Sequence, residues 1–231
     1  NMGKPMARHL IAKGYELAVF DLDRTLAKDF SAQIGATSAA SLADLGKASD
    51  IVITMLPTGR VVRDVVTGEN GLAEGLGSGG VVIDMSSSEP GGSRALAAEL
   101  GVEVSVLRIG NIAGFDVILG GWKPGFRLDQ FKDGRTPRRS YIGVLTLADV
   151  IAALMEAPNL PDVLNIAQPG PIEMGALLQA AGRDFATVPA PDAAIAEVAL
   201  DLGRLSGFLA PKMQLHVADP VQMAAEMALL E

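Results

Sequence analysis

Asn1-Met2-Gly3-Lys4-Pro5-Met6-Ala7-Arg8-His9-Leu10-Ile11-Ala12-Lys13-Gly14, followed by Tyr15-Glu16-Leu17-Ala18-Val19-Phe20-Asp21, sets the architecture to expect of the whole chain. The first part reads as a helix opening at Gly3, with Met6, Leu10 and Ile11 recurring on one face and Gly14 as its stop. Pro5 suits an early helical position, where its missing N–H costs nothing. Leu17, Val19 and Phe20 then build a largely buried strand that ends on the carboxylate of Asp21. A helix N-terminus presents free N–H groups and a positive dipole end, which favour an anion. A carboxylate closing the following strand accepts hydrogen bonds from a ribose. The separation of Gly3 and Asp21, 21 − 3 = 18 residues, is near the roughly 20 residues of a dinucleotide-binding βαβ unit. No strand precedes Gly3, and the earlier glycines of a G-x-G-x-x-G turn are not in the stretch, so the unit begins one element late.

Composition bounds the function classes. The 231 residues are enough to bury a real core in one or two domains, and 49% hydrophobic against 20% charged residues favours a globular chain. A net charge of −8 argues against nucleic acid or an anionic membrane as the main partner. The absence of cysteine excludes disulfides, thiolate catalysis and zinc–thiolate sites. His9 and His216 are too few for a histidine-rich metal site, so no metal is expected. No apolar run reaches the ~18 residues of a membrane span, and no signal-peptide h-region is present, so a cytoplasmic location is the default expectation.

Strands and helices alternate along the first hundred residues. Asp23 caps a helix running to Ile34 and stopping at Gly35. Ser41 starts a short helix through Ala48, and Ile51 to Leu56 is an apolar strand bounded by Asp50 and Pro57. Arg60–Val66 is helical, Gly68–Gly80 is a loop, Val81–Met85 is a strand, and Ser86 to Pro90 turns into a helix over Gly92–Leu100. Apolar strands alternating with helices predict a parallel sheet covered on both faces. Further on, Gly120 to Gly125 is a turn-rich loop, and Thr146 with Asp149 forms a capping-box-like pair for a helix over Leu147–Glu156. Pro161–Ile166 is a strand, Ile172–Ala181 a helix stopping at Gly182, and Thr187–Pro191 a loop. Asp219-Pro220 caps a last helix with Val221, Met223, Ala224, Met227 and Leu230 apolar, methionines that read as packing.

Asn1-Met2-Gly3-Lys4-Pro5-Met6-Ala7, Val19-Phe20-Asp21, Met55-Leu56-Pro57 and Ile83-Asp84-Met85-Ser86-Ser87, as an ordered set, resemble the cofactor domain of the 3-hydroxyisobutyrate dehydrogenase family over residues 1 to about 100. The resemblance implies that Asn1, Met2 and Gly3 belong to the turn that holds a pyrophosphate. It implies that Leu56 and Pro57 lie along the cofactor, and that Ser86, with Ser87 in place of the usual Thr, approaches the nicotinamide. Asp21 then favours NAD, because a carboxylate repels a 2′-phosphate, while Arg24 keeps NADP open.

After Leu100 the pattern changes. Val104 to Gly114, which contains Arg108-Ile109-Gly110-Asn111, then Arg139-Ser140-Tyr141-Ile142-Gly143-Val144, Leu147-Ala148-Asp149-Val150 and Val163-Leu164-Asn165-Ile166-Ala167, resemble the C-terminal half of an extended short-chain dehydrogenase of the NAD-dependent epimerase/dehydratase type, over about 102–205. That resemblance implies that the segment holding Asn111 passes the nicotinamide and that the following region closes over a substrate. The Tyr-x-x-x-Lys helix of that family should precede Val104, but Ser93–Leu100 holds neither residue. The substrate loop and catalytic lysine of the first family do not follow Leu100 either. The expected organisation is α/β: a Rossmann-like parallel sheet, incomplete at its N-terminus, over residues 1–101, and a smaller appended α/β region over 102–231. The seam resembles a junction between two dehydrogenase fragments.

Each candidate residue has a structural alternative. Gly3 can mark a helix start with tight packing, Asp21 a plain strand end, Ser86 and Ser87 a helix cap, and Asn111 a turn. Arg135, Arg138 and Arg139 form either a solvated loop or a grip for a phosphate or carboxylate. Tyr141, Lys123 and Lys132 are the Tyr and Lys near the presumed cleft, and no catalytic residue stands out among them. The leading expectation is an NAD(P)-dependent oxidoreductase moving a hydride to or from a small hydroxy acid or alcohol. The alternatives are a non-catalytic dinucleotide-binding or structural chimera, and an epimerase/dehydratase-like enzyme acting on a nucleotide sugar.

Loss of a central strand would forfeit roughly 10 kcal/mol of apolar burial, comparable to a domain's whole stability of about 5–15 kcal/mol. Either Glu103–Ile109 enters the gap, or a partner chain fills it in a homo-oligomer, or the fold is marginal. The partner option predicts a melting temperature that falls on roughly hundredfold dilution; a melting temperature that does not move with concentration counts against it.

Overall fold

Capping side chains set the element boundaries near the N-terminus. In the computed structural model, which describes residues 2–157, 159–210 and 212–229, the chain divides into two units, Asn1–Val104 and Ser105–Glu231. In the first unit α1 (Gly3–Ala12) is followed by Gly14 at φ +86°, where the chain turns out of the helix. The strand expected up to Asp21 is short, β1 (Ala18–Val19). Helix α2 (Arg24–Ile34) is capped by Asp23, whose carboxylate accepts the Leu26 N–H at 3.0 Å, a bond of a kind that contributes ~1 kcal/mol. It ends at Gly35, φ +75°. The chain then forms β2 (Thr37–Ser38), a strand the sequence pattern did not suggest, which pairs parallel with β1. Lys4 and Arg8 of α1 lie over the Phe30 ring of α2, at 5.5 and 5.3 Å from its centroid.

Helix α3 (Leu42–Lys47) starts at the expected cap, Ser41, which accepts the Asp44 N–H. Strand β3 (Ile51–Thr54) leads to α4 (Gly59–Thr67), capped by Thr58. The expected loop 68–80 is corrected by α5 (Leu72–Gly75), whose Leu72 is buried in the core. Strand β4 (Val81–Asp84) and α6 (Pro90–Leu100) complete the unit. Strands β3 and β4 pair parallel from Ile51↔Val81 to Thr54↔Asp84. Along β3 the side chains alternate: Val52 and Thr54 are buried, Ile51 and Ile53 exposed. Val52 joins Val62, Val66 and Leu72 in a core that also packs Leu42, Leu45, Leu56, Leu96 and Leu100. Among the described residues no strand joins the pair β1–β2 to the pair β3–β4, so the continuous sheet expected from the alternation is present as two parallel pairs.

In the second unit β5 (Val106–Ile109) pairs parallel with β10 (Val163–Ile166), from Val106↔Val163 to Ile109↔Ile166. Of the three alternatives for the missing strand, entry of Glu103–Ile109 is not seen in the pairing: β5 pairs only with β10 among the described residues, and Leu164 and Ile166 of β10 are fully buried. Strand β6 (Asn111–Ile112) pairs parallel with β9 (Tyr141–Ile142), and β7 (Arg127–Gln130) with β12 (Ala186–Pro189). That second pairing corrects the loop expected over Thr187–Pro191. Strand β8 (Arg138–Arg139) lies between β11 (Ile172–Glu173), antiparallel to it, and β13 (Glu197–Val198), parallel to it. Helices α7 (Val144–Met155), α8 (Met174–Ala180), α9 (Gly203–Leu209) and α10 (Pro220–Ala228) complete the unit. Ile172, expected in a helix, belongs instead to β11, and α8 starts two residues later. Leu230 lies outside the described residues.

Tyr141 and Ile142, adjacent on β9, feed opposite cores, as strand alternation requires. Tyr141 packs with Leu177, Leu178 and Met223; Ile142 packs with Val150, Leu164, Ile166, Leu205 and Leu209. The expected Thr146–Asp149 cap of α7 is corrected too. Gly143 is the cap position, and it donates no side chain. Instead Glu226, buried on α10, accepts the Leu145 N–H at 3.1 Å, while Gln168 accepts the Gly143 N–H at 2.9 Å. Asp219 caps α10 as expected, accepting the Val221 N–H at 2.9 Å. No helix among the described residues is long and apolar enough to cross a membrane.

The closest approach in the first unit is between α3 and α5, where a Cβ on Gly75 would stand 1.9 Å from the Ala43 carbonyl oxygen. Gly75→Ala is expected to destabilise the first unit by about 1–3 kcal/mol through overpacking. Gly77→Ala, whose Cβ would meet nothing within 4 Å, serves as the control; comparing urea midpoints checks the difference.

Candidate functional site

The carboxyl ends of β1, β3 and β4 carry most of the residues expected to hold a dinucleotide, which is where ligands lie in open parallel α/β sheets. Just beyond β1, the exposed Asp21 accepts the Asp23 N–H through Oδ1 at 3.0 Å. Arg24, three residues on, donates through Nη2 to the carbonyl oxygens of Ala39 and Ala40 at 2.8 and 2.7 Å, and its guanidinium lies 4.5 Å from the centroid of the Phe20 ring. Met2 is 62% exposed and precedes α1 without a side-chain cap. Gly3 is exposed as well, with nothing within 4 Å of where a Cβ would stand. The N–H of Met6 bonds back to the Met2 carbonyl, and Pro5 has none, so Gly3 and Lys4 carry the N–H groups at the mouth of this helix. Asn1 lies outside the described residues.

At the ends of β3 and β4 the structure brings two expected residues into direct contact. The Leu56 N–H donates to Ser86 Oγ at 2.8 Å, joining the Leu56-Pro57 loop to the Ser86-Ser87 turn. Asp84 stands beneath this bond. Its Oδ1 accepts from the Thr54 hydroxyl at 2.9 Å and from the Ser86 N–H at 3.0 Å, and its Oδ2 accepts from the Ser88 hydroxyl at 2.7 Å. Partial desolvation alone would raise the pKa of this carboxyl, but the hydrogen bonds from Ser86, Ser88 and Thr54 outweigh it and hold the group below the ordinary 3.8. Asp84 was missed as a site residue by reading the sequence. The signal that marks it is a carboxylate at the last strand position followed at i+2 and i+4 by serines.

The second unit holds Asn111, half-buried at the start of β6, with its N–H on the Ser140 carbonyl at 3.0 Å. Arg138 and Arg139 are engaged by other segments of the fold. Arg138 pairs with Glu197 and donates to the Pro171 carbonyl at 2.9 Å; Arg139 donates to the carbonyls of Arg138 and Ile195 at 2.7 and 2.9 Å. Arg135 pairs with Asp133 at 3.3 Å. Tyr141 is fully buried and donates to Asp116 Oδ2 at 2.7 Å. Burial, followed by the hydrogen bond and charge of Asp116, pushes its phenol far above the usual 10.0. A phenol held there serves packing rather than proton transfer. Lys123 and Lys132 are exposed. Two depressions of this unit contain none of the expected cofactor residues. One, of about 460 Å³, lies beside Gly114, Trp122 and Met227, and one of about 660 Å³ beside Phe131 and Pro189.

Residues 1–108 match the family model described as the NAD binding domain of 6-phosphogluconate dehydrogenase. The 3-sulfolactaldehyde reductase of Escherichia coli is 42% identical over 99 residues, which is 43% of this chain and 33% of that protein. The mitochondrial 3-hydroxyisobutyrate dehydrogenase of Rattus norvegicus is 38% identical over 100 residues, 43% of this chain and 30% of that protein. The chain therefore spans about a third of the length of these curated relatives. A solved UDP-glucose 4-epimerase from Thermotoga maritima covers all of this chain, and 95% of its own, at TM-score 0.55 and 17% identity, a likeness of fold alone. Residues 1–108 thus resemble an NAD-binding domain, and the chain shares a Rossmann-like α/β fold with the solved epimerase.

Proposed function

We propose that this protein binds NAD along the carboxyl ends of β1, β3 and β4 and acts as an NAD(P)-dependent oxidoreductase, transferring a hydride to or from a small hydroxy acid or alcohol. The observation that carries the reading is the Leu56–Ser86 hydrogen bond. It joins two loops of the match to the family model into one wall, above the ends of two parallel strands. Gly3 and Lys4 offer N–H groups and the positive end of α1 to the pyrophosphate. Asp21 keeps Oδ2 for the adenosine ribose, since only Oδ1 takes the Asp23 N–H. Arg24 would have to give up two carbonyl bonds and its place on Phe20 to meet a 2′-phosphate, which supports NAD over NADP. When bound, the cofactor supplies the hydride chemistry, and these residues hold and orient it. Met2, Pro57 and Ser87 belong to the same proposal as flanking contacts, as does Asn1.

A second reading, dinucleotide binding without turnover, rests on two observations: α6 carries neither Tyr nor Lys, and Tyr141 donates to Asp116. A nucleotide-sugar reaction governed by the second unit is a third. Turnover of hydroxy acids selects the first reading, turnover of nucleotide sugars the third, and binding with neither selects the second. Calorimetric titration with NADH and NADPH is expected to show tighter binding of NADH. Asp21→Ala should weaken NADH by about tenfold, the loss of roughly 1.4 kcal/mol, and narrow the preference between the two. Absence of binding to the unmodified protein overturns the proposal, and equal binding by Asp21→Ala removes Asp21 from it.

A further inference from the structure

The hydrogen bonds at the ends of β3 and β4 form a closed circuit. Thr54 donates to Asp84, the Ser86 N–H donates to Asp84, and the Leu56 N–H donates to Ser86 Oγ, two residues beyond Thr54. The circuit crosses between the two loops, which are 30 positions apart in the chain. Register pairing ends at Thr54↔Asp84, one further backbone bond runs from the Met85 N–H to the Thr54 carbonyl at 2.9 Å, and past it the Leu56–Ser86 bond joins the loops. Thr54 is buried, and its hydroxyl requires an acceptor there. An ionised carboxylate only accepts, so it orients every donor around it. Thr54 and Ser88 direct their protons to Asp84. Ser86 joins both sides of the network: its oxygen accepts from Leu56, and its side chain also hydrogen-bonds to Asp84.

We propose that Asp84 is a positioning residue. It ties the Leu56-Pro57 loop to the Ser86-Ser87 turn and so sets the wall on which the dinucleotide lies. This inference rests on the dinucleotide reading for its functional consequence, while the tie itself is a property of the unliganded protein. Asp84 touches no ligand in this account and acts through Ser86 and Leu56.

Amide hydrogen exchange and NADH titration on the full chain test it together. In Asp84→Ala the Leu56 amide should exchange about tenfold faster without cofactor, with the Val62 and Val66 amides of α4 unchanged, because only the local opening is affected. NADH affinity should fall by a similar factor, about tenfold. Asp84→Asn keeps an acceptor oxygen for Thr54 and the Ser86 N–H, so it should restore most of both. A merely structural role would accelerate Val62 and Val66 along with Leu56 and show no rescue by Asn, and that result overturns the proposal. So does Leu56 exchange at the original rate in Asp84→Ala. Should that variant fail to fold, Thr54→Val removes one bond of the circuit isosterically; a Leu56 rate that does not rise then overturns it as well. If the unmodified protein binds no NADH, the dinucleotide reading fails, and the Leu56 rates still decide whether Asp84 makes the tie.

Discussion

The parallel pairing of β3 with β4 is the constraint on which the candidate site depends. Four residue pairs in register bring Thr54 opposite Asp84 at the strand ends. Every later feature of the wall follows from that placement: the carboxylate between Thr54 and Ser88, the Ser86 hydroxyl under the Leu56 amide, and the two loops held together. A shift of one residue would turn Val52 and Thr54 out of the core and Ile51 and Ile53 into it, since strand side chains alternate with period two. The register is therefore held by Val52 packing on Val62, Val66 and Leu72 as much as by the backbone bonds.

The second unit uses polar side chains in the same way, as brackets between distant segments. Asp116 takes the Tyr141 hydroxyl and the Leu119 N–H; Glu226 takes the Leu145 N–H; Gln168 takes the Gly143 N–H. Gly143 has no room for a side chain, because a Cβ there would collide with the Glu226 carboxylate. The C-terminal helix α10 thus completes the start of α7, 81 positions earlier in the chain. With Arg138 and Arg139 bound to Glu197 and to backbone carbonyls, the charged groups that look like a ligand grip in the sequence are structural ties between β8 and its neighbours.

Local chemistry made much of the first unit legible. Asp23, Ser41 and Asp219 cap the helices they were expected to cap, because a cap needs only an oxygen two or three residues from a free N–H. Gly14 and Gly35 end their helices at positive φ, where a side chain would be strained. Short strands were not legible: β2, β12 and β13 have two to four residues and owe their conformation to the partner they pair with. The Thr146–Asp149 pair shows the limit from the other side, since a sequence signal for a cap was displaced by Glu226 arriving from another helix.

Sequence alone determined the alternation of strands and helices, the caps, and the ordered residues by which the first hundred positions resemble a dinucleotide-binding domain. These are set by periodicity and by contacts within one turn. Tertiary structure decided which strands pair, that β5 belongs with β10, that Arg24 rests on Ala39 and Ala40, and that Asp84 stands at the centre of the wall. Those outcomes depend on burial and on partners tens of residues away. A hydrogen-bonding group takes the partner that folding places beside it, whatever its neighbours in the chain suggest.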